Sequence, residues 1–220
     1  MDRHHTVIVR KPWGYEYLAF KNEHVALWLL NIAPGEKTSM HCHPSKSTGL
    51  VLLSGDAEIN FISDSKILSA PAKQMIRRGL FHQTHAVGTD PVILFEVETP
   101  VDKDDLVRLH DFYGRKHDGY EGQQHELPKN DDCIWFEEED TEIEKFGRIL
   151  KIKTIDDATI FNNLDDDTII MFLNGGVYKV INSREHTVIA PGDVGVAKVV
   201  KHVASEMDGV LANTVVLLIR

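Results

Sequence analysis

Three residues recur in this 220-residue chain at a constant offset of 120 positions, and this repeat constrains the fold more than any other feature. A glycine, a proline and a histidine are separated by 16 and then 11 residues in both halves: Gly55, Pro71 and His82, then Gly175, Pro191 and His202. The apolar segments around them, such as VILFEVE and TIIMFL, are short and rich in β-branched residues, which is typical of strands. We therefore predict an all-β protein in which one barrel fold occurs twice.

Charge divides the chain at about the same place as the repeat. Residues 1–116 contain 14 basic and 14 acidic side chains, whereas residues 117–220 contain 10 and 20, so the net charge of −10 belongs to the second part. Between the two parts lies the polar stretch RKHDGYEGQQHELPKNDD, which has neither helical nor strand periodicity. We predict a first barrel over residues 1–116, a linker over 117–132 and a second, degenerate barrel over 133–220.

The composition also excludes several classes of partner. A net charge of −10 repels nucleic acid and anionic membranes, and no apolar run approaches the roughly 20 residues that span a bilayer. The first ten residues lack the apolar region of a signal peptide, and two cysteines are too few for a disulfide framework. We expect a cytoplasmic protein with no nucleic-acid or membrane partner. A homodimer remains open.

The histidines of the first half suggest a metal site. His41 and His43 occupy alternate positions of an extended segment, so their imidazoles can share one face, and His82 supplies a third ring from the segment RRGLFHQTH. Three imidazoles are a typical ligand set for a catalytic divalent metal with open positions. Zinc is our first expectation, and iron, nickel, manganese and cobalt remain open because imidazole suits many divalent ions.

The second half does not repeat this ligand set. The positions 120 after His41 and His43 are Phe161 and Asn163, so His202 stands alone. A single histidine is an incomplete ligand set, and we therefore predict a metal-free second barrel.

The histidines lie within a longer pattern that resembles the cupin superfamily. The glycines and histidines that carry the resemblance, with the threonine between them, are Gly35, His41, His43, Thr48 and Gly55, followed by Gly79 and His82. The resemblance implies two double-stranded β-helix (jelly-roll) barrels, a bicupin, with metal bound by His41, His43 and His82. In many cupins a glutamate stands at the position of Thr48, so the resemblance implies a neutral three-histidine set here.

Two flanking stretches narrow the resemblance to the barrel of type II mannose-6-phosphate isomerases. The opening RKPWGYEYLA is similar to that family's Arg-Pro-Trp-Gly segment, and DDLVRLHDFYGR is similar to its ending in Tyr-Gly-Arg. The likeness covers residues 9–116 and implies a metal-dependent enzyme that acts on a sugar or sugar phosphate, either an aldose/ketose isomerase or a related epimerase.

We assign roles to three further residues under this hypothesis. Glu96 and Glu98 share one face of the segment VILFEVE and are candidates for the base that removes the C2 proton. Arg115 matches the family's terminal arginine and would bind phosphate or an anionic intermediate. Two alternatives stay open: a three-histidine non-haem iron dioxygenase, and a non-catalytic sugar-binding bicupin.

Overall fold

The computed structural model describes residues 7–115, 125–126, 133–136 and 142–220. The chain divides into two compact units, Met1–Trp135 and Phe136–Arg220. Most of the predicted linker, residues 117–132, lies outside the described residues, so the predicted domain boundaries stay a prediction. The exception is a two-residue strand at residues 125–126, which pairs with the first strand of the first unit. In the described residues, no helix is long and apolar enough to span a membrane.

The described part of the first unit consists of strands. They are β1 (Ile8–Lys11), β2 (Gly14–Lys21), β3 (Ala26–Ile32), β4 (Met40–Cys42), β5 (Ser47–Ser54), β6 (Asp56–Asn60), β7 (Ser65–Ser69), β8 (Ala72–Ile76), β9 (Gln83–Ala86), β10 (Val92–Thr99), β11 (Val107–His110) and β12 (His125–Glu126). A seven-stranded sheet has the order β12-β1-β2-β3-β10-β5-β8, a three-stranded sheet has the order β7-β6-β9, and β11 pairs with β4. The central strands β3 and β5 are buried at nearly every position, and the core includes Trp28, Leu52 and Leu94.

The second unit combines strands with two short helices. They are β13 (Glu142–Lys145), β14 (Arg148–Ile155), α1 (Thr159–Asn162), β15 (Ile169–Asn174), β16 (Val177–Ile181), β17 (Arg184–Ile189), β18 (Val194–Val196), α2 (Ala197–Ser205), β19 (Gly209–Val210) and β20 (Thr214–Ile219). The larger sheet has the order β13-β14-β20-β15-β18, and the smaller has the order β17-β16-β19. Phe161, Phe172 and Val216 are among the fully buried residues of its core.

The all-β prediction is confirmed, and the two units share one strand order. In the first unit the order β2-β3-β10-β5-β8 accompanies β7-β6-β9, and in the second β13-β14-β20-β15-β18 accompanies β17-β16-β19. Each strand of the second set stands at the same place in the chain order as its counterpart in the first. The repeat in the sequence is therefore a repeat of topology, as two cupin barrels require.

The repeated glycine ends the same strand in both units. Gly55 follows β5 and Gly175 follows β15, and both have a positive φ, +84° and +67°. A side chain at Gly55 would collide with Pro91, just before β10, and one at Gly175 would collide with Thr214, the first residue of β20. Glycine is needed here both for its backbone freedom and for its lack of a side chain.

The repeated histidine lies in different local structure in the two units. His82 lies just before β9 and forms a bridge with His41, whereas His202 is exposed on helix α2. The helix forms because Ala197, Val200 and Ala204 are spaced by three and four residues, which buries one helical face.

Candidate metal centre

Antiparallel pairing brings the three predicted histidines of the first unit together. The backbones of His41 and His82 exchange two hydrogen bonds, with N to O distances of 3.0 and 2.8 Å. His43 follows two residues after His41, so its ring returns to the same face. The ring centroids lie 4.5 Å apart for His41 and His82, 5.1 Å for His41 and His43, and 5.6 Å for His43 and His82.

Each of these rings is oriented by a backbone carbonyl. The Nδ1–H groups of His41, His43 and His82 face the carbonyl oxygens of Ser39, Asp105 and Leu80, with Nδ1 to O distances of 2.8, 2.6 and 3.0 Å. A neutral imidazole whose Nδ1 is a donor has its lone pair on Nε2. This is the orientation in which histidine ligands of metal sites are usually held.

Glu96 joins the histidines as a fourth donor. Its carboxylate and the three imidazoles each offer a ligand atom, and these atoms all lie within 4.8 Å of one another. The Oε1 atom of Glu96 is 3.8 Å from Nε2 of His43, and that Nε2 is buried without a hydrogen-bond partner among the described residues. A buried polar atom without a partner is costly, and a cation shared by the four groups would satisfy it. The donor set therefore fits a divalent metal.

The environment favours the metal-binding protonation states of His41, His82 and Glu96. Burial lowers the pKa of His82 to about 4, helped by the neighbouring His43, and it lowers the pKa of His41 well below its usual value. For Glu96, burial alone would raise the pKa, but the nearby imidazole of His43 and the charge of Lys103 outweigh it and lower the pKa. Neutral imidazoles and an ionised carboxylate are the forms that coordinate metals.

A buried ion pair lies beside the four donors. Lys46 is 1% exposed, and its Nζ atom donates to Oε1 of Glu98 at 2.9 Å. The same Oε1 is 3.9 Å from Nε2 of His43. Thr48 stands opposite Glu98 in the pairing of β5 with β10, and its hydroxyl is buried without a hydrogen-bond partner among the described residues. Position 48, where many cupins have a glutamate, is therefore next to the carboxylate of Glu98.

These groups form one side of a pocket of about 490 Å³, counting its opening to solvent. Glu96 and Glu98 both line it, as do His41 and His43. The cationic lining residues are Lys11, Lys46, Lys103, Arg108 and Arg115, against three glutamates, Glu16, Glu96 and Glu98. The pocket has an excess of positive charge before any metal binds, which favours an anionic ligand.

The structure places Arg115 in the wall of this pocket. Asp111 accepts hydrogen bonds from its backbone nitrogen and from its guanidinium, including Nη2 at 2.5 Å. The guanidinium is therefore held in a fixed direction. The hydrogen bonds with Arg115 offset the burial of Asp111 and lower the pKa of its carboxyl.

Sequence reasoning missed two residues of this site. Glu96 was assigned as a base rather than as a member of the ligand group, and Lys46 was not singled out. The alternation in VILFEVE already placed Glu96 on the face of Glu98, but only the three-dimensional structure shows that Glu96 lies beside the histidines. His85 does not belong to the cluster, and its Nδ1 lies 3.5 Å from Glu58 instead.

Comparison with known proteins points to one family. Residues 1–111 match the family described as Mannose-6-phosphate isomerase C-terminal. A mannose-1-phosphate guanylyltransferase of Escherichia coli is 28% identical over 109 residues, which are 49% of this chain and 23% of that protein. The xanthan biosynthesis protein XanB of Xanthomonas campestris is 27% identical over 49% of this chain and 23% of its own length. The chain thus spans about a quarter of the length of these relatives.

Solved structures match this chain at low similarity. A protein of Klebsiella pneumoniae with a double-stranded β-helix domain is 19% identical, with a TM-score of 0.40, over 46% of this chain and 88% of that chain. The protein KdgF of Halomonas is 13% identical, with a TM-score of 0.42, over 47% of this chain and 95% of its own.

Proposed function

This chain belongs to the Mannose-6-phosphate isomerase C-terminal family, and we propose that its first unit is a metal-dependent isomerase, or a related epimerase, that acts on a sugar or sugar phosphate. The observation that carries the proposal is the cluster of His41, His43, His82 and Glu96, of which His41, His43 and Glu96 line a cationic pocket. These four side chains would hold a divalent ion, with zinc as the first expectation.

When bound, the ion would supply Lewis acidity that polarises a substrate carbonyl and the adjacent hydroxyl. Glu98 is our proposed base. It faces the pocket, and its contact with Lys46 holds the carboxylate in place. Glu98 would accept the proton from C2 and return it to C1, while the proton of the C2 hydroxyl moves to the C1 oxygen, so that the carbonyl and the hydroxyl exchange carbons.

Arg115 is the proposed anchor for the anionic end of the substrate. Asp111 fixes its guanidinium, and a planar guanidinium can bind two oxygens of a phosphate at once. The other cations of the lining add to the field that attracts an anion into the pocket.

The test combines metal analysis with an isomerase assay. We expect the purified protein to contain about one divalent ion per chain and to interconvert at least one member of a panel of hexose and pentose phosphates. His82→Ala should lose both metal and activity. His202→Ala is the matched control because that histidine is exposed on α2, and it should change neither. Stoichiometric metal that persists in His82→Ala would contradict the proposed ligands.

The dioxygenase alternative depends on a neutral set of three histidines. Glu96 adds a carboxylate to the donor group, which supports the isomerase proposal over that alternative. Oxygen uptake that depends on substrate, with iron bound, would reverse this preference. A purified protein that binds sugar but no metal would favour the binding bicupin.

A further inference from the structure

His43 is held differently from the other two histidines. The Nδ1 atoms of His41 and His82 face carbonyls only two residues earlier in the chain, at Ser39 and Leu80. The Nδ1 atom of His43 instead faces the carbonyl of Asp105, 62 residues away, at 2.6 Å. Local geometry therefore orients two of the rings, whereas the third depends on the loop 100–106 between β10 and β11.

The side chain of Asp105 fastens that loop to the histidine segment. Its Oδ2 atom accepts hydrogen bonds from the backbone nitrogens of Ser45 and Lys46, at 2.9 Å each. One residue thus contacts both the ring of His43 and the backbone two and three positions after it. A carboxylate that accepts two amide hydrogens forms charge-assisted bonds, which are stronger than neutral ones.

The loop also forms part of the pocket wall. Lys103 and Leu106 line the pocket, whereas Asp105 is not among the lining residues. A displacement of the loop would therefore change the pocket wall and the acceptor of His43 together. Asp105 itself would act on the metal site only through the residues that it contacts.

We propose that Asp105 is a positioning residue, which keeps Nδ1 of His43 protonated and its Nε2 directed at the metal site by fastening loop 100–106 to residues 45–46. The proposal rests on the proposed metal binding by the three histidines and Glu96. It deepens that function by assigning the fixed orientation of one ligand to a residue outside the pocket.

The first experiment measures Zn²⁺ affinity in three variants of the full chain. Loss of outer hydrogen bonds to a ligand typically weakens metal binding by about 10- to 100-fold, so we expect the Zn²⁺ dissociation constant to rise by that factor in Asp105→Ala. Asp105→Asn keeps an oxygen that can accept both amide hydrogens and should stay within about threefold of the wild type. Asp90→Ala, at an exposed aspartate in the loop before β10, is the control and should leave the affinity unchanged.

The second experiment needs no metal. Long-range ¹H–¹⁵N spectra of the metal-free protein at about pH 8, with His43 assigned from a His43→Gln variant, report which nitrogen is protonated. We expect one tautomer, protonated on Nδ1, in the wild type and in Asp105→Asn, and a mixture in Asp105→Ala. If Asp105→Ala does not fold, Asp105→Ser replaces it, since a hydroxyl retains one acceptor.

The two readouts separate the possible failures. Wild-type zinc affinity together with a single His43 tautomer in Asp105→Ala would overturn the inference and leave the proposed function standing. A wild type that binds no zinc would instead remove the proposed function. The tautomer measurement would then decide whether Asp105 positions His43 in a site of another kind.

Discussion

Burial keeps His82 neutral in the folded protein over most of the pH range in which proteins are studied. Its pKa is lowered to about 4, and the ring is 2% exposed. Desolvation disfavours the charged imidazolium, and the neighbouring His43 disfavours it further. The folded protein thus holds a metal ligand ready at neutral pH, but acid must weaken the metal-free fold.

The lowered pKa of His82 predicts how the free energy of unfolding of the metal-free protein changes with pH. Below pH 6.5 the unfolded chain protonates His82 while the folded chain does not, so stability is lost as the pH falls from 6.5 towards 4. The full effect is on the order of 3 kcal/mol. Urea unfolding in the presence of a chelator should show a smaller loss for His82→Gln than for the wild type between those pH values. An equal loss would mean that His82 is not buried as a neutral ring.

The buried pair of Lys46 and Glu98 gives a second prediction. Lys46→Met leaves the carboxylate of Glu98 buried without its partner and should lower the free energy of unfolding by about 3–5 kcal/mol. Lys46→Met combined with Glu98→Gln removes both charges and should recover most of that loss. Urea unfolding measures both. Turnover should stay low in the double variant if Glu98 is the base, and recovery of turnover with stability would show that the pair is structural.

Thr48 gives a third prediction. Its buried hydroxyl lies opposite Glu98, so Thr48→Glu places a second carboxylate beside an existing one. The two negative charges should destabilise the metal-free protein and attract a divalent ion, because oxygen donors complete such sites. The rise in melting temperature on adding Zn²⁺ should therefore be larger in Thr48→Glu than in the wild type, while turnover falls. An unchanged rise would show that residue 48 does not face the ion.

The site was only partly predictable from the sequence. Alternation along a strand was sufficient to place His41 and His43 on one face, and the resemblance to the cupin pattern added His82. Thr48 occupies the glutamate position of the cupin pattern on β5, so the sequence predicted a neutral set, but Glu96 on the neighbouring β10 adds a carboxylate to the donor group. Strand alternation cannot identify a donor on another strand, since the order of strands in the sheet is a property of the tertiary fold.

At the scale of elements, the turn after β5 depends on glycine for two separable reasons. Gly55 and Gly114 have nearly the same positive φ, +84° and +81°. A Cβ at Gly55 would lie 2.6 Å from the carbonyl oxygen of Pro91, whereas one at Gly114 would meet no atom within 4 Å. Gly114→Ala therefore reports the backbone strain alone.

We expect Gly114→Ala to cost about 1 kcal/mol of stability, and Gly55→Ala to cost clearly more because the collision adds to the strain. Equilibrium unfolding of both variants gives the difference. Equal losses would mean that the chain at Pro91 moves away easily and that the close approach is not needed.

The strands were predicted better than the helices. Short apolar segments flanked by glycine and proline indicated the strands in both halves, and the offset of 120 indicated their shared order. Helix α2 was not predicted because the repeat aligns His202 with His82, and we therefore expected the second half to follow the strand pattern of the first. The spacing of Ala197, Val200 and Ala204 is the signal that favours a helix there.

At the scale of the whole molecule, charge and chemistry are distributed unequally. The four donors and the lining of the pocket lie within Met1–Trp135, although the chain as a whole carries a net charge of −10. The cationic excess of the pocket is thus a local property, set against an acidic remainder. A negatively charged ligand would be attracted by the pocket and repelled by the acidic residues 117–220.

The last prediction concerns where the first unit ends. Ile134 donates its backbone N–H to the hydroxyl of Tyr17 at 2.9 Å. The ring of Trp135 packs against the ring of Tyr17, with centroids 5.1 Å apart, and β12 pairs with β1. A chain cut after residue 135 keeps these contacts and the complete donor set, whereas a chain cut after residue 116 loses the contacts but keeps the donors. We therefore expect residues 1–135 to bind Zn²⁺ with the affinity of the full chain, as measured by metal titration. Residues 1–116 should unfold at a lower urea concentration than residues 1–135, as measured by fluorescence. Equal stability of the two fragments would place the boundary at residue 116, as the sequence alone predicted.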